Sequence, residues 1–287
     1  MDLSVLIVTY NSRRHVVDCL TSLLPALGDI SHEVVVIDNA SGDGTAAAVR
    51  AACPHVQVID LPVNRGFAAG INRGLSATTG RHIVWLNPDA MWKSGSFRDV
   101  SAWMDAHPEV GIVGGRILDP AGTVQRSARA FPSYGAVLGA RYSILTRLFP
   151  NNPFSRRFLR SDSNYANIEP VDWVSGAFVM HTRELSDKLH GLDEGFFMYF
   201  EDVDFCFRAW RAGSSVYFHP GMTVEHEIGG SSAHMPVAML VARHRSLWRW
   251  YTKHFRRLWP KDAVVWAGVW IRCGALVLAH ALRRRRS

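Results

Sequence analysis

The chain has few cysteines, and none of them are close together: Cys19, Cys53, Cys206 and Cys273 form no CxxC pair. That spacing excludes a disulfide-stapled miniature fold and a zinc–thiolate centre, and it fits a reducing compartment. GxGxxG is absent, which argues against a dinucleotide dehydrogenase, and GxxxxGK[ST] is absent, which argues against a P-loop NTPase. No internal repeat is present. The opening MDLSVLIVTYN has no basic n-region and no cleavage-site pattern, so it reads as a first β-strand and not as a signal peptide.

What is present starts with size. The 287 residues are 48% hydrophobic, enough for one large domain or two lobes. The net charge of +7 is unevenly placed. Arg243, Arg245, Arg249, Lys253, Arg256, Arg257 and Lys261 crowd one stretch, and the chain ends in RRRRS. Such asymmetry suits an anionic surface, either nucleic acid or the cytoplasmic face of a membrane.

Between these basic runs lies VVWAGVWIRCGALVLAHAL, residues 264–282, just short of the about 20 residues a spanning helix needs. Arg272 near its middle costs roughly 2.5–3.5 kcal/mol to insert. The segment reads as a helix lying in the membrane interface with Arg272 snorkelling; a buried or dimer-forming helix and a true span are the alternatives. Aromatics interleaved with cations in HRSLWRWYTKHFRR also occur in single-strand binders. The apolar run that follows and the cleft residues upstream favour no nucleic-acid partner.

LSVLIVTY, EVVVIDNA, VQVIDLP and HIVWLNPDA are short, β-branched runs separated by helix-like spacings. This β–α alternation predicts a mainly parallel sheet flanked by helices, an α/β Rossmann-like fold. The four strand ends carry Thr9-Tyr10-Asn11, Asp38-Asn39, Asn64 and Asn87-Pro88-Asp89. Ligands of open α/β sheets gather beyond the carboxyl ends of the strands. Residues 126–170, with Pro132, Pro150 and Pro153, read as a lid or an acceptor-binding insertion. FFMYFEDVDFCFRAWRAG sets Glu201, Asp202 and Asp204 among aromatics, where acids need something to offset desolvation.

Taken in order, TYN, DNASGDGT, NRGFAAGINRG, LNPDA, WVSGAF, FFMYFEDVDFCFR and VEHEIGGSS resemble the inverting, family-2 glycosyltransferases of the GT-A fold. Within that family they are most similar to the bacterial rhamnosyltransferase subgroup. The resemblance implies a catalytic domain over residues 1–232, with a nucleotide-sugar half (1–90) and an acceptor half (91–232), and a membrane-associating region at 233–287. It implies a nucleotide-sugar donor, commonly dTDP-L-rhamnose, and a divalent Mg²⁺ or Mn²⁺. The acceptor is a surface or cell-wall glycan, often on a lipid carrier, met at the cytoplasmic side of the cell membrane. A UDP-hexose or UDP-N-acetylhexosamine donor keeps the same mechanism.

The resemblance also distributes roles. Asp38 accepts from the imide N–H of the base, with Thr9, Tyr10, Asn11 and Asn39 flanking the nucleotide; Tyr10 packing beneath the sheet is the alternative. Asp43 is a ribose-facing or helix-capping group. Asn64, Arg65 and Gly66 face the diphosphate and sugar, and Asn72, about two turns on, shares their cleft. Asp89 is the metal ligand of LNPDA; Asn87 stands where the family often has a second carboxylate and offers a neutral oxygen. His226 is the second metal ligand, whereas His219 is structural. Asp202 is the general base and Glu201 tunes it or binds acceptor hydroxyls. Helix geometry, apart from the resemblance, turns Asp204 off the cleft, where it caps the helix or pairs with Arg208. Trp173, Gly176 and Ala177 line the sugar and acceptor boundary, with Trp173 either stacking on sugar or buried in the core.

Overall fold

The computed structural model describes residues 1–132, 165–226, 237–256 and 259–284. Most of the 126–170 insertion, the end of VEHEIGGSS, Arg257 and the last basic residues lie outside the described residues.

The first half alternates as expected: β1 (Leu3–Thr9), α1 (Arg13–Leu27), β2 (His32–Asp38), α2 (Thr45–Ala52), β3 (Gln57–Asp60), α3 (Phe67–Leu75) and β4 (His82–Leu86). β3, β2, β1 and β4 lie side by side, all parallel. Every position of β1 and β4 is buried, as required of strands with helices over both faces. Successive residues of β4 alternate between two cores: Val84 and Leu86 pack with Leu20, Val36 and Phe178, while Ile83 and Trp85 pack with Ile37 and Phe205.

The second half comprises β5 (Ala90–Gly95), α4 (Phe97–Ala106), β6 (Val110–Leu118), β7 (Ala128–Arg129), β8 (Glu169–Pro170), β9 (Trp173–Val174), β10 (Phe178–Thr182), α5 (Arg183–Leu189), α6 (Glu201–Arg211), β11 (Ser215–His226), α7 (Val237–His254) and α8 (Lys261–Arg284). The sheet continues β4-β10-β6-β11-β5, with β8 on β11 and a separate β7-β9 ribbon. β10 and β5 run antiparallel to their neighbours. VDWVSGAFVMHT, read from sequence as one strand-like run, is broken at 175–177 into β9 and β10. That break carries Gly176 and Ala177 to the strand ends where β4 finishes.

Candidate active site

The β1/β2 register aligns Thr9 with Asp38. Thr9 Oγ1 donates to Asp38 Oδ1 over 2.9 Å, and Ser41 donates its hydroxyl to the same oxygen (2.6 Å) and its N–H to Oδ2 (3.0 Å). Asn11 donates its N–H to Ser41 Oγ and accepts from the Gly42 N–H. The Asp38 carboxylate is thereby fixed in direction before any ligand meets it. Asp43 accepts N–H bonds from Arg13 and Thr45, tying together the starts of α1 and α2. Tyr10 is 53% exposed, so it does not pack beneath the sheet.

Asn39 accepts from the Arg65 N–H (3.0 Å) and donates to the Gly66 carbonyl (2.9 Å); Asn64 Oδ1 accepts from the Gly66 N–H. Gly66 has φ +89°, and a Cβ there would lie 2.2 Å from the Phe197 carbonyl oxygen. The Phe67 N–H donates to that same carbonyl over 2.9 Å. The entrance to α3 is therefore pressed against the turn that precedes α6. Asn64 and Asn72 serve different contacts: Asn72 donates to the Leu192 carbonyl and accepts from the Leu192 N–H, clasping the loop before α6. Arg65 reaches Glu194 at 3.2 Å, both largely exposed.

β11 runs antiparallel to β5 with His226 opposite Ala90, which brings His226 to the end of β4. Its Nε2 lies 3.2 Å from Asp89 Oδ1 and 3.3 Å from Asn87 Nδ2. Gln125 Nε2 donates to the His226 carbonyl at 2.6 Å and steadies the strand end. Beside Asp89 opens a cavity of about 300 Å³ lined also by His15, Asp18, Met91, Pro120 and Glu225. An imidazole nitrogen 3.2 Å from the oxygen of a carboxylate that lines the cavity fits a divalent cation that takes its remaining ligands from phosphate and water. Among the described residues no third His, Cys, Asp or Glu joins them. His219 accepts from the Gly221 N–H and packs against Trp103, a structural place.

Ala177 and Gly176 link this pair to the acidic helix. The Asn87 N–H donates to the Ala177 carbonyl (3.0 Å), and the Gly176 N–H donates to Asp202 Oδ2 (2.9 Å). Asp202 Oδ1 accepts from the Val203 N–H. Before α6, Tyr199 and Phe200 both take positive φ, +67° and +69°, a costly backbone for bulky residues of the kind that clusters at functional sites. Burial pushes the Asp202 carboxyl up, and the Gly176 and Val203 N–H bonds with the Arg129 charge offset only part of this. Glu201 is raised further above the usual carboxylate range, by burial first and by the neighbouring Asp202 charge second. Glu201 Oε2 is buried with no hydrogen-bond partner among the described residues. The two buried carboxyls thus titrate as a pair that resists a second negative charge.

Arg129 was not singled out from sequence; it sits on the β7-β9 ribbon with its guanidinium carbon 5.3 Å from the Trp173 ring centre. Trp173 is 7% exposed and donates its indole N–H to the Ala130 carbonyl, so its place is in the core. Asp204, fully buried, meets Arg208 Nε at 2.7 Å, His254 Nε2 at 2.7 Å and Lys253 Nζ at 2.7 Å. Its pairing with Arg208 matches the sequence reading; its pairing with α7 was not legible there. Ser246 of α7 donates to the Met198 carbonyl (2.8 Å), and Trp250 packs against Phe200.

The profile of glycosyl transferase family 2 matches residues 4–205. An N-acetylglucosaminyl-diphospho-decaprenol L-rhamnosyltransferase of Mycobacterium tuberculosis is 31% identical over 258 residues, 85% of this chain and 82% of that protein. A low-salt glycan biosynthesis hexosyltransferase of Haloferax volcanii is 26% identical over 232 residues, 75% of this chain and 64% of that one. Among solved structures, a mannosyltransferase from Pyrobaculum calidifontis in complex with GDP-Man and Mn²⁺ aligns with TM-score 0.58 at 20% identity, covering 98% of this chain and 75% of that one. S. aureus TarS with UDP aligns at 0.53 and 17% identity, covering 86% and 65%. The profile match and the rhamnosyltransferase relative, with the α/β sheet and the strand-end site described above, make this chain a member of glycosyltransferase family 2, an enzyme of the GT-A fold.

Proposed function

We propose that this glycosyltransferase moves L-rhamnose from dTDP-L-rhamnose to a hydroxyl of a lipid-linked glycan, with inversion at the anomeric carbon. The observation that carries the reading is the continuous set of contacts Asp202–Gly176–Ala177–Asn87–His226–Asp89. It ties a candidate base to a candidate cation pair through one short segment.

Asp202 takes the proton of the acceptor hydroxyl as that oxygen bonds to the anomeric carbon from one face. The bond from that carbon to the nucleoside diphosphate breaks on the opposite face, and the diphosphate leaves. Neutral Glu201 donates a hydrogen bond to an acceptor or sugar oxygen and adds no second negative charge. Asp38, held by Thr9 and Ser41, meets the base. When bound, Mg²⁺ or Mn²⁺ held by Asp89 and His226 supplies positive charge for the departing diphosphate.

The tail supports a membrane site. Lys261–Leu282 is long and apolar enough to cross a bilayer by length and composition, and it exposes Val264, Trp266, Ile271 and Leu278. With its basic flanks it lies on the anionic cytoplasmic leaflet. Flotation with anionic liposomes at low and high salt tests this; protein left at the bottom in both refutes it.

The donor is tested with a panel of dTDP-rhamnose, UDP-glucose, UDP-galactose, UDP-N-acetylglucosamine and GDP-mannose, measured for binding and slow hydrolysis. The expected result is preference for dTDP-rhamnose. Preference for a UDP-sugar moves the reading to that donor, and binding of none overturns it.

A further inference from the structure

α7 and α8 form an antiparallel hairpin pinned at its closed end, where Tyr251 Oη donates to Asp262 Oδ1 at 2.7 Å and Arg256 reaches the same carboxylate at 3.7 Å. Going back from Tyr251 to Arg243 covers about 12 Å, and going on from Asp262 to Arg272 about 15 Å, at the helical rise. The two arginines therefore come level across the hairpin. Arg272 does not snorkel away from the protein: it is half-buried beside the buried Cys273, on the side facing α7. Burial first, then the charge of Arg243, pushes Arg272 below the ordinary guanidinium range. Burial likewise lowers the adjacent His244, against its bond to the Leu240 carbonyl, and both arginines add to that lowering.

Farther along α7 the cations are matched: Arg249 and Lys253 meet Asp193, and Lys253 also meets Asp204. Among the described residues no carboxylate pairs with Arg243 or Arg272. Two like charges held together in partly desolvated surroundings are costly unless an anion joins them. The pair also lies beside the site, since the Arg243 guanidinium carbon is 6.0 Å from the Tyr199 ring centre and Ser246, one turn on, binds the Met198 carbonyl. From the same place α8 leads outward through exposed Ile271 and Leu278.

We propose that Arg243 and Arg272 bind the diphosphate of the lipid-linked acceptor at the rim of the Asp202 cleft. This rests on the proposed transfer to such an acceptor. The guanidinium forks hold the phosphate oxygens, the lipid chain runs along the apolar face of α8, and the first sugar is directed toward Asp202.

The test uses the full-length protein and phosphatidylcholine vesicles that carry either a polyprenyl diphosphate or phosphatidylglycerol at equal negative charge. Wild type should bind the diphosphate vesicles roughly ten-fold more tightly, with inorganic pyrophosphate competing. Arg243→Gln and Arg272→Gln should each abolish that preference, and Arg→Lys at either position should restore part of it; donor affinity and thermal melting serve as folding controls. Equal binding of wild type to both vesicles overturns the site, as does a variant that loses both kinds of binding alike. If a Gln variant melts early, the wild-type comparison and the Lys variants decide. Wild-type transfer to a soluble acceptor without any diphosphate preference defeats the site alone. Absence of transfer from every donor defeats the underlying reading and leaves the vesicle result standing.

Discussion

Gly176 donates its N–H to Asp202 Oδ2 over 2.9 Å, and a methyl group on Gly176 would lie 3.2 Å from Asp202 Cβ. The missing side chain thus sets how close the candidate base stands to the 175–177 turn. Gly176→Ala should displace Asp202 by a few tenths of an ångström and lower kcat by about ten-fold, since misplacing a reacting group by about 1 Å costs about 10²-fold. Donor affinity by calorimetry should be unchanged. Full kcat in the alanine variant would show that this contact does not position the base.

Glu201→Gln separates stability from chemistry. Because the folded-state pKa of Glu201 is raised, its ionisation disfavours the fold. That penalty is absent below the unfolded carboxylate pKa, grows as pH rises above it, and levels off once pH passes the folded pKa. The glutamine variant should therefore melt about 2–4 °C above wild type at alkaline pH, the shift that about 1 kcal/mol makes in a domain of this size. The difference should vanish near pH 4. A variant that melts lower at alkaline pH would contradict the assignment of a buried, unfavourably charged Glu201.

Asp204 has the opposite sign. Burial would raise its pKa, but His254, Arg208 and Lys253 together hold it below the usual carboxylate range. Its stability contribution is present above the unfolded Asp pKa and is lost as pH falls through the folded one. Asp204→Ala should cost about 3–5 kcal/mol at neutral pH because it takes the shared buried partner from Arg208, Lys253 and His254. Chemical denaturation at neutral and acidic pH checks this, with the variant's deficit shrinking in acid.

The candidate site was legible in sequence wherever a polar residue ends an apolar strand or opens a helix. Asp38, Asp89 and Asp202 stand out for that reason, and the four parallel strands follow from their β-branched runs. Partners distant in sequence were not legible. Lys253 reaches Asp204 across 49 residues, and nothing local in HRSLWRWYTKHF foretells that contact. β10 reads FVMHT, and its apolar start, Phe178 to Met180, suits either strand direction, so its antiparallel insertion could not be read. Asn72 has the spacing for the cleft yet satisfies Leu192, because Asn64 precedes α3 and spacing along the chain does not say which loop will fold over the helix.

Asp89→Ala and His226→Ala should each weaken Mn²⁺-dependent donor binding by roughly 10–100-fold, with little change in metal-free buffer. Titrating donor with and without Mn²⁺ checks this. Activity undiminished after EDTA treatment would refute the cation pair.

The central claim is that Asp202 is the base of an inverting transfer. Its most direct measurement is donor binding and sugar transfer by Asp202→Asn, side by side with wild type. The amide keeps the shape of the side chain and cannot take a proton. Donor affinity should stay within about two-fold of wild type, while transfer falls by at least about 10²-fold, the lower range for loss of a general base. Lost donor affinity with turnover preserved per bound donor would contradict the claim.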